Sequence, residues 1–152
     1  MIPAGWIVAV PIILPNVLWA LLPGPAEPSA AAPATTLLRT VGFIEGSGRV
    51  AVLVLPVFLD AQVQTTIDRV VACAGGLALA LYYVGWGRYF FGGRAPVLLF
   101  APLGPLPVPL AVAPVLYFLA FAVLARSPTM AVVTVLFGAA HVFMSARRAG
   151  SA

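Results

Sequence analysis

Residues 37–59 read LLRTVGFIEGSGRVAVLVLPVFL, and this stretch decides the fold class. A membrane-spanning helix needs roughly 17–25 mostly apolar residues, and the stretch meets that length. It nevertheless carries an acid, Glu45, and a base, Arg49, between glycines near its middle. The stretch therefore predicts a transmembrane helix with a polar segment at its centre.

Glu45 and Arg49 are predicted to form an ion pair. A charge inside a span costs about 2.5–3.5 kcal/mol on insertion scales and usually faces protein. A spacing of four residues places both side chains on one helical face, within reach of each other. Gly42, Gly46 and Gly48 surround the pair, and small residues allow another helix to approach closely. Two interpretations stay open: a structural ion pair at a helix–helix contact, or the charged part of a binding site.

The composition of the whole chain agrees with a membrane protein. Of 152 residues, 62% are hydrophobic and 8% are charged, and the mean hydropathy is +1.10. A soluble domain has about a quarter charged residues, and one this small could not bury so much apolar surface. The net charge of +4 comes from scattered arginines, so nucleic-acid binding is not expected.

Four more stretches are long and apolar enough to span: residues 5–22, 70–91, 109–125 and 128–145. With residues 37–59 they predict an all-α membrane protein, a bundle of about five transmembrane helices in a single domain over residues 1–152. Residues 95–108 contain four prolines, which a continuous helix cannot accommodate. We expect a short Pro-rich interfacial or re-entrant segment before the fourth helix; the alternative is that these residues extend that helix.

The connections between spans carry turn and capping signals. Residues 23–36 are rich in Pro and Ala and predict an irregular loop. Thr65 or Asp68 is expected to cap the third helix, and Ser127 the fifth.

The SAAAPA sequence at 29–34 resembles a signal-peptide cleavage region, but no basic residue precedes the first apolar run. We expect that span to be retained.

The arginines predict the orientation. In a five-span chain, the first and third loops and the C-terminal segment share one side. That side carries Arg39, Arg88, Arg94, Arg147 and Arg148, and the other carries Arg69 and Arg126. The positive-inside rule then places the N-terminus outside and the C-terminus inside.

The polar residues within the spans lie at similar depths. By the helix rise of about 1.5 Å per residue, Asn16, Glu45, Tyr83 and His141 lie roughly 8–12 Å from the cytoplasmic ends of four different spans. This agreement predicts a polar site open to the cytoplasmic leaflet. Its candidate binding residues are Asn16, Glu45, Arg49, Tyr83 and His141. Separate structural roles for each remain an alternative, for example a hydrogen bond from His141 to Ser145 or repair of a proline kink by Asn16.

The sequence contains no recognised catalytic, phosphate-binding or dinucleotide-binding motif. The lone cysteine, Cys73, excludes an intrachain disulfide, and one histidine is too little for a metal site. No cofactor and no metal are predicted, and enzymatic activity is not favoured.

The order of the segments PNVLWA, FIEGSGR, YYVGWGRYFF, PLAVAPVLYFL and HVFMS resembles small uncharacterised bacterial polytopic integral-membrane proteins. The similarity extends over most of the chain. It implies a bacterial cytoplasmic-membrane location and supplies neither a substrate nor functional residues.

Three functions follow as hypotheses. The first is a small binding or transport-type protein with a polar site open to the cytoplasmic leaflet. The second is a structural or accessory subunit of a membrane complex, and the third is a membrane enzyme acting on a lipid or isoprenoid. The expected partners are the lipid bilayer and either further copies of the chain or another membrane protein.

Overall fold

The computed structural model describes residues 5–22, 24–25 and 35–150, and its regular structure is helical. The five α-helices are α1 Trp6–Leu21, α2 Thr36–Val54, α3 Thr66–Phe91, α4 Pro109–Leu124 and α5 Pro128–Ala149. A 3₁₀ turn, Leu55–Phe58, continues α2 to the end of its apolar stretch. The predicted all-α class is confirmed for the described residues.

Among the described residues, three helical segments are long and apolar enough to cross a membrane: Thr36–Phe58, Thr66–Phe91 and Pro128–Ala149. The other two, α1 and α4, are apolar but have 16 residues each. That length corresponds to about 24 Å, which is less than the roughly 30 Å of a bilayer core. The membrane class is supported by these three helices.

Four helices pack in the order α2, α5, α4, α3. Small residues bring each neighbouring pair close together. A Cβ added at Gly48 of α2 would lie 2.9 Å from the Phe137 Cβ of α5, and one at Gly138 would lie 2.6 Å from a Val115 methyl group of α4. Gly75 of α3 meets α4 in the same way. The first helix, α1, packs separately against α2 and α3.

Contacts at the two ends show that successive helices alternate in direction. At one end, the Gln62 amide donates to the Leu124 carbonyl, so the α2–α3 and α4–α5 connections meet. At the other end, Gly24 lies against the Arg94 carbonyl, which joins the residues after α1 to those after α3. Among the described residues, the α2–α3 and α4–α5 connections therefore lie at one end of the bundle, and the residues after α1 and after α3 lie at the other.

The start of α3 is fixed by a capping box. The Thr65 side chain accepts a hydrogen bond from the Asp68 amide at 3.1 Å, and the Asp68 carboxylate accepts one from the Thr65 amide at 2.9 Å. This reciprocal pair satisfies amides that a helix N-terminus leaves free. Helix α3 therefore begins at Thr66, four residues earlier than the expected span 70–91.

The α4–α5 connection is a tight hairpin, and the predicted cap at Ser127 is present. Ser127 caps α5 by accepting from the Met130 amide at 3.2 Å, and Pro128 occupies the first helical position. Arg126 has a φ of 50°, a left-handed conformation that is uncommon for a residue with a side chain. The C-terminal helix continues to Ala149, four residues beyond the expected end.

Residues 95–108 do not extend α4, so that alternative is wrong. They form a 3₁₀ turn at Pro96–Leu99 and a two-residue antiparallel bridge between Leu103 and Leu106. Gly104, with a φ of 57°, makes the turn between those leucines. The Arg88 guanidinium donates to the Pro102 carbonyl at 2.8 Å and ties the segment to α3.

Two expectations lie outside the described residues. The irregular loop predicted over 23–36 is described only at its edges, and the SAAAPA sequence at 29–34 is not described.

Candidate functional site

Three charged or ionisable side chains meet at one oxygen atom. The Glu45 Oε1 atom accepts a hydrogen bond from the Arg49 Nη2 atom at 2.7 Å and lies 2.8 Å from the His141 Nδ1 atom. Glu45 is buried, with 5% of its surface exposed, whereas 52% of the Arg49 side chain is exposed. The ion pair predicted from the sequence is present, and His141 of α5 completes a three-residue cluster.

Helix packing brings His141 to Glu45. Because Gly48 has no side chain, α2 and α5 approach closely at Phe137. The Phe137 and His141 rings stack on the same face of α5, with centroids 5.0 Å apart and planes 14° apart. This stacking holds the imidazole edge against the Glu45 carboxylate.

The other two glycines near Glu45 do not pack against a helix of this chain. A Cβ added at Gly42 or Gly46 would meet nothing within 4 Å. The expectation that all three glycines mediate helix contacts is therefore correct only for Gly48. The side of α2 that carries Gly42 and Gly46 is open.

A second polar cluster joins α1 to α3. The Asn16 Nδ2 atom donates to the Tyr82 hydroxyl and to the Ile12 carbonyl, both at 2.7 Å. The Tyr82 hydroxyl in turn donates to the Ile12 carbonyl at 3.0 Å. Asn16 thus bonds within its own helix and also connects two helices.

Tyr83 repairs a proline defect in α1. Proline has no amide hydrogen, so Pro15 cannot donate to the carbonyl four residues earlier, which belongs to Pro11. The Tyr83 hydroxyl donates to that carbonyl at 2.9 Å. A side chain from a neighbouring helix therefore replaces the missing backbone hydrogen bond, as transmembrane helices with proline require.

The five predicted site residues fall into two groups. Glu45, Arg49 and His141 form the cluster between α2 and α5, while Asn16 and Tyr83 join α1 to α3. The hydrogen bonds and ion pairs of the described residues join the members of each group and do not join one group to the other.

Sequence reasoning missed several of these partners. Tyr82, which is not among the predicted site residues, is 3% exposed and makes two of the α1–α3 hydrogen bonds. Sequence reasoning also missed the ion pair between Asp68 and Arg126 at 2.7 Å. This pair joins the first turn of α3 to the turn between α4 and α5. The Thr-x-x-Asp spacing signals the capping box, but nothing in the sequence signals its arginine partner.

A groove between α4 and α5 is separate from the polar cluster. It has a volume of about 360 Å³ and is lined by aliphatic residues and glycine, among them Val115, Leu119 and Gly138. Neither Glu45 nor His141 lines it. Apolar lining on a helix surface suits contact with hydrocarbon and offers no polar chemistry.

Comparison with protein-family models, curated proteins and solved structures finds no match to this chain. The bacterial resemblance and the cytoplasmic-membrane location therefore remain predictions.

The Glu45 cluster has unused hydrogen-bonding capacity. A guanidinium has five N–H donors, and Arg49 donates one side-chain hydrogen bond among the residues described. Its exposed half can therefore bind a further acceptor. Carboxylates and phosphates match the planar guanidinium best, because they can accept two parallel hydrogen bonds.

Proposed function

We propose that this chain is a small integral-membrane binding or transport-type protein whose polar site faces the cytoplasmic leaflet. The site consists of Glu45, Arg49 and His141, with Asn16 and the neighbouring tyrosines beside it. The proposal includes five membrane crossings, with the N-terminus outside and the C-terminus inside.

The observation that carries the proposal is the exposure of Arg49 in the middle of a span. By helix rise, Arg49 lies about 20 Å from Thr36 and roughly 15 Å from Phe58, too deep for its side chain to reach either end. Its partner Glu45 lies about 14 Å from Thr36, so the site extends from the middle of the span toward the end assigned to the cytoplasm. A purely structural ion pair would be expected to shield both charges, yet only Glu45 is buried. A guanidinium left half exposed at this depth is costly in lipid, so water or a ligand is expected to cover it.

The alternating helix directions and the arginine distribution support the topology. Five of the eight arginines lie at the end shared by the α1–α2 connection, the α3–α4 connection and the C-terminus of α5. The positive-inside rule assigns that end to the cytoplasm.

Thiol labelling tests access to the site. On a Cys73→Ser background, single cysteines replace Asn16, Arg49 or Tyr83. Val84→Cys is the matched control, because Val84 follows Tyr83 on α3 and is 49% exposed, but is expected to face lipid. A membrane-impermeant thiol reagent should label Arg49→Cys and Asn16→Cys in inside-out vesicles and label them poorly in right-side-out vesicles.

Val84→Cys should resist the reagent from both sides, because a water-soluble reagent does not enter hydrocarbon. If Arg49→Cys is as protected as Val84→Cys in both vesicle orientations, the site is dry and the binding function is wrong.

The open side of α2 favours an accessory subunit as the second candidate. Gly42 and Gly46 are spaced like the small residues of packed transmembrane helices, and among the described residues nothing lies within 4 Å of a Cβ added at either position. In that case the same face should crosslink to another membrane protein or a second copy of the chain. Cysteine crosslinking at Gly46 would distinguish this function from ligand binding.

A further inference from the structure

We propose that the Glu45–Arg49–His141 cluster binds a singly charged oxyanion, such as a phosphodiester or carboxylate, together with one proton. The inference rests on the proposed binding function and adds the ligand class and its coupling to protons.

The first step is the charge of the empty cluster. Glu45 contributes one negative charge and Arg49 one positive charge, so the cluster is neutral when His141 is neutral. The other charged residues of the three long spans lie nearer the helix ends. They are Arg39, Asp68, Arg69, Arg88, Arg147 and Arg148.

The second step is the ligand. The Arg49 side chain is 52% exposed, and its guanidinium has N–H donors that Glu45 does not use. An oxyanion accepts two such donors in one plane. A cation would be repelled by Arg49, and a neutral apolar molecule would leave these donors unsatisfied.

The third step is the proton. Bringing one negative charge to a neutral cluster inside a span leaves a net charge of −1 in a medium of low dielectric constant, which is costly. Uptake of one proton by the Glu45–His141 pair removes that charge. At 2.8 Å the contact between the Glu45 Oε1 and His141 Nδ1 atoms already contains the Nδ1 proton of the neutral imidazole. The added proton therefore goes to the second ring nitrogen, Nε2, and leaves this hydrogen bond in place, so no rearrangement of the helices is required.

The groups that face this pair are few. From α2, Glu45 and Arg49 act on the His141 ring, and from α5 itself Arg148 acts on it electrostatically. The described residues of α1 and α4, the other helices beside α2 and α5, carry no charged side chain. The Glu45–His141 pair is therefore the group placed to take up the proton.

Calorimetry measures the proton directly. The purified protein in phosphatidylcholine nanodiscs is titrated with dimethyl phosphate, a soluble phosphodiester, in buffers of different ionisation enthalpy at mildly alkaline pH. The slope of binding enthalpy against buffer ionisation enthalpy should correspond to about one proton taken up per anion. Linkage then predicts that affinity rises about tenfold for each unit of pH decrease. Binding with no proton uptake overturns the inference while leaving the binding function intact.

Three variants separate the roles of the two charged residues. Arg49→Gln should abolish binding, and Arg39→Gln, which removes an arginine elsewhere on α2, should leave affinity and proton uptake unchanged. Glu45→Gln makes the empty cluster positive, so the anion should bind without a proton and independently of pH. Proton uptake that persists in Glu45→Gln would overturn the proposed coupling, and melting temperatures show whether each variant is folded.

A second arm identifies the source of the oxyanion. Native mass spectrometry from mixed phosphatidylcholine and phosphatidylglycerol nanodiscs tests a lipid headgroup. Retention of phosphatidylglycerol that is lost in Arg49→Gln but kept in Arg39→Gln identifies a lipid ligand, and binding of dimethyl phosphate alone identifies a soluble one. Acetate, titrated in the same way, tests a carboxylate. If neither phosphodiester nor acetate binds with dependence on Arg49, the ligand class is wrong. If the labelling experiment also shows protection, the binding function fails with it.

Discussion

The hydrogen bond between Glu45 and His141 should stabilise the folded bundle, whereas the ion pair between Glu45 and Arg49 should contribute little to folding. The first joins α5 to α2 and is lost when the helices separate. The second lies within α2 at a spacing of four residues. It can persist in an isolated helix in a micelle, so it cancels from the free energy of separating the helices.

The two interactions can be compared by double-mutant cycles. Glu45→Met removes the acceptor but keeps a side chain of similar length, and His141→Phe removes the ring nitrogens while retaining the stack on Phe137. Interhelical hydrogen bonds in membranes contribute about 0.6 kcal/mol on average and about 1.7 kcal/mol at most. The bond has an ionisable acceptor that is 5% exposed, so we expect a coupling free energy in the upper half of that range. The Glu45–Arg49 cycle, with Arg49→Met, should give a coupling near zero.

The assay measures reversible unfolding in mixed micelles, and the signal is the loss of tertiary contacts. Each single variant should lower the free energy of unfolding, and the double variant Glu45→Met/His141→Phe should recover part of the loss, because apolar side chains leave no unsatisfied polar group. Thr134→Val is the control on α5. Its hydroxyl donates to the Met130 carbonyl of its own helix at 2.7 Å, so it should not couple to Glu45. If the losses of unfolding free energy for Glu45→Met and His141→Phe are strictly additive, the two residues do not stabilise the bundle together. A larger coupling of Glu45 with Arg49 than with His141 would also refute this reasoning.

Three further predictions follow from other parts of the structure. Tyr83→Phe should lower the free energy of unfolding by roughly 0.6–1.7 kcal/mol. In a Pro15→Ala background most of that cost should disappear, because an alanine amide can donate to the Pro11 carbonyl. Equal costs of Tyr83→Phe with Pro15 and with Ala at that position would contradict the repair of the kink by Tyr83. Asp68→Ala should lower the Tm more than Asp60→Ala, since Asp68 accepts hydrogen bonds from the Gln64 and Thr65 amides and from Arg126; equal shifts would show that the cap and ion pair are unimportant. Two reporters are fused separately after Ala152. A fluorescent protein that is active only in the cytoplasm should fluoresce, and a phosphatase that is active only in the periplasm should be inactive. The reverse pattern would exclude the proposed orientation.

The sequence predicted interactions within a helix better than those between helices. The Glu45–Arg49 pair follows from spacing alone. The cap at Ser127 was predicted, and of the two cap candidates for α3 the structure selects Thr65. The partner of His141 could not be derived, because it depends on how α5 is rotated against α2. Spacing pointed to Ser145, whereas the close approach at Gly48 selects Glu45.

The helix boundaries show the same division. Pro109 and Pro128 mark the starts of α4 and α5 as predicted, because proline is favoured in the first turn. The start of α3 was placed four residues late because the apolar run was given more weight than the Thr-x-x-Asp signal. Helical periodicity did not indicate which of Tyr82 and Tyr83 contacts α1. Adjacent residues on a helix point about 100° apart, so two neighbouring tyrosines can both reach the same helix. Both tyrosines contact α1, one as a buried residue and the other at the surface.

The unequal lengths of the helices have a consequence for the surrounding lipid. If α1 and α4 cross the bilayer alongside the three longer helices, their 16 residues leave about 6 Å of a typical hydrocarbon core unmatched. Lipids beside them would have to thin locally, at a cost of a fraction of a kcal/mol per Å, while the longer helices tilt. The mismatch should affect α1 more than α4, because α1 lies at the periphery of the bundle. Its docking on α3 through tyrosine hydroxyls should therefore be strongest in short-chain bilayers and should weaken as the acyl chains lengthen.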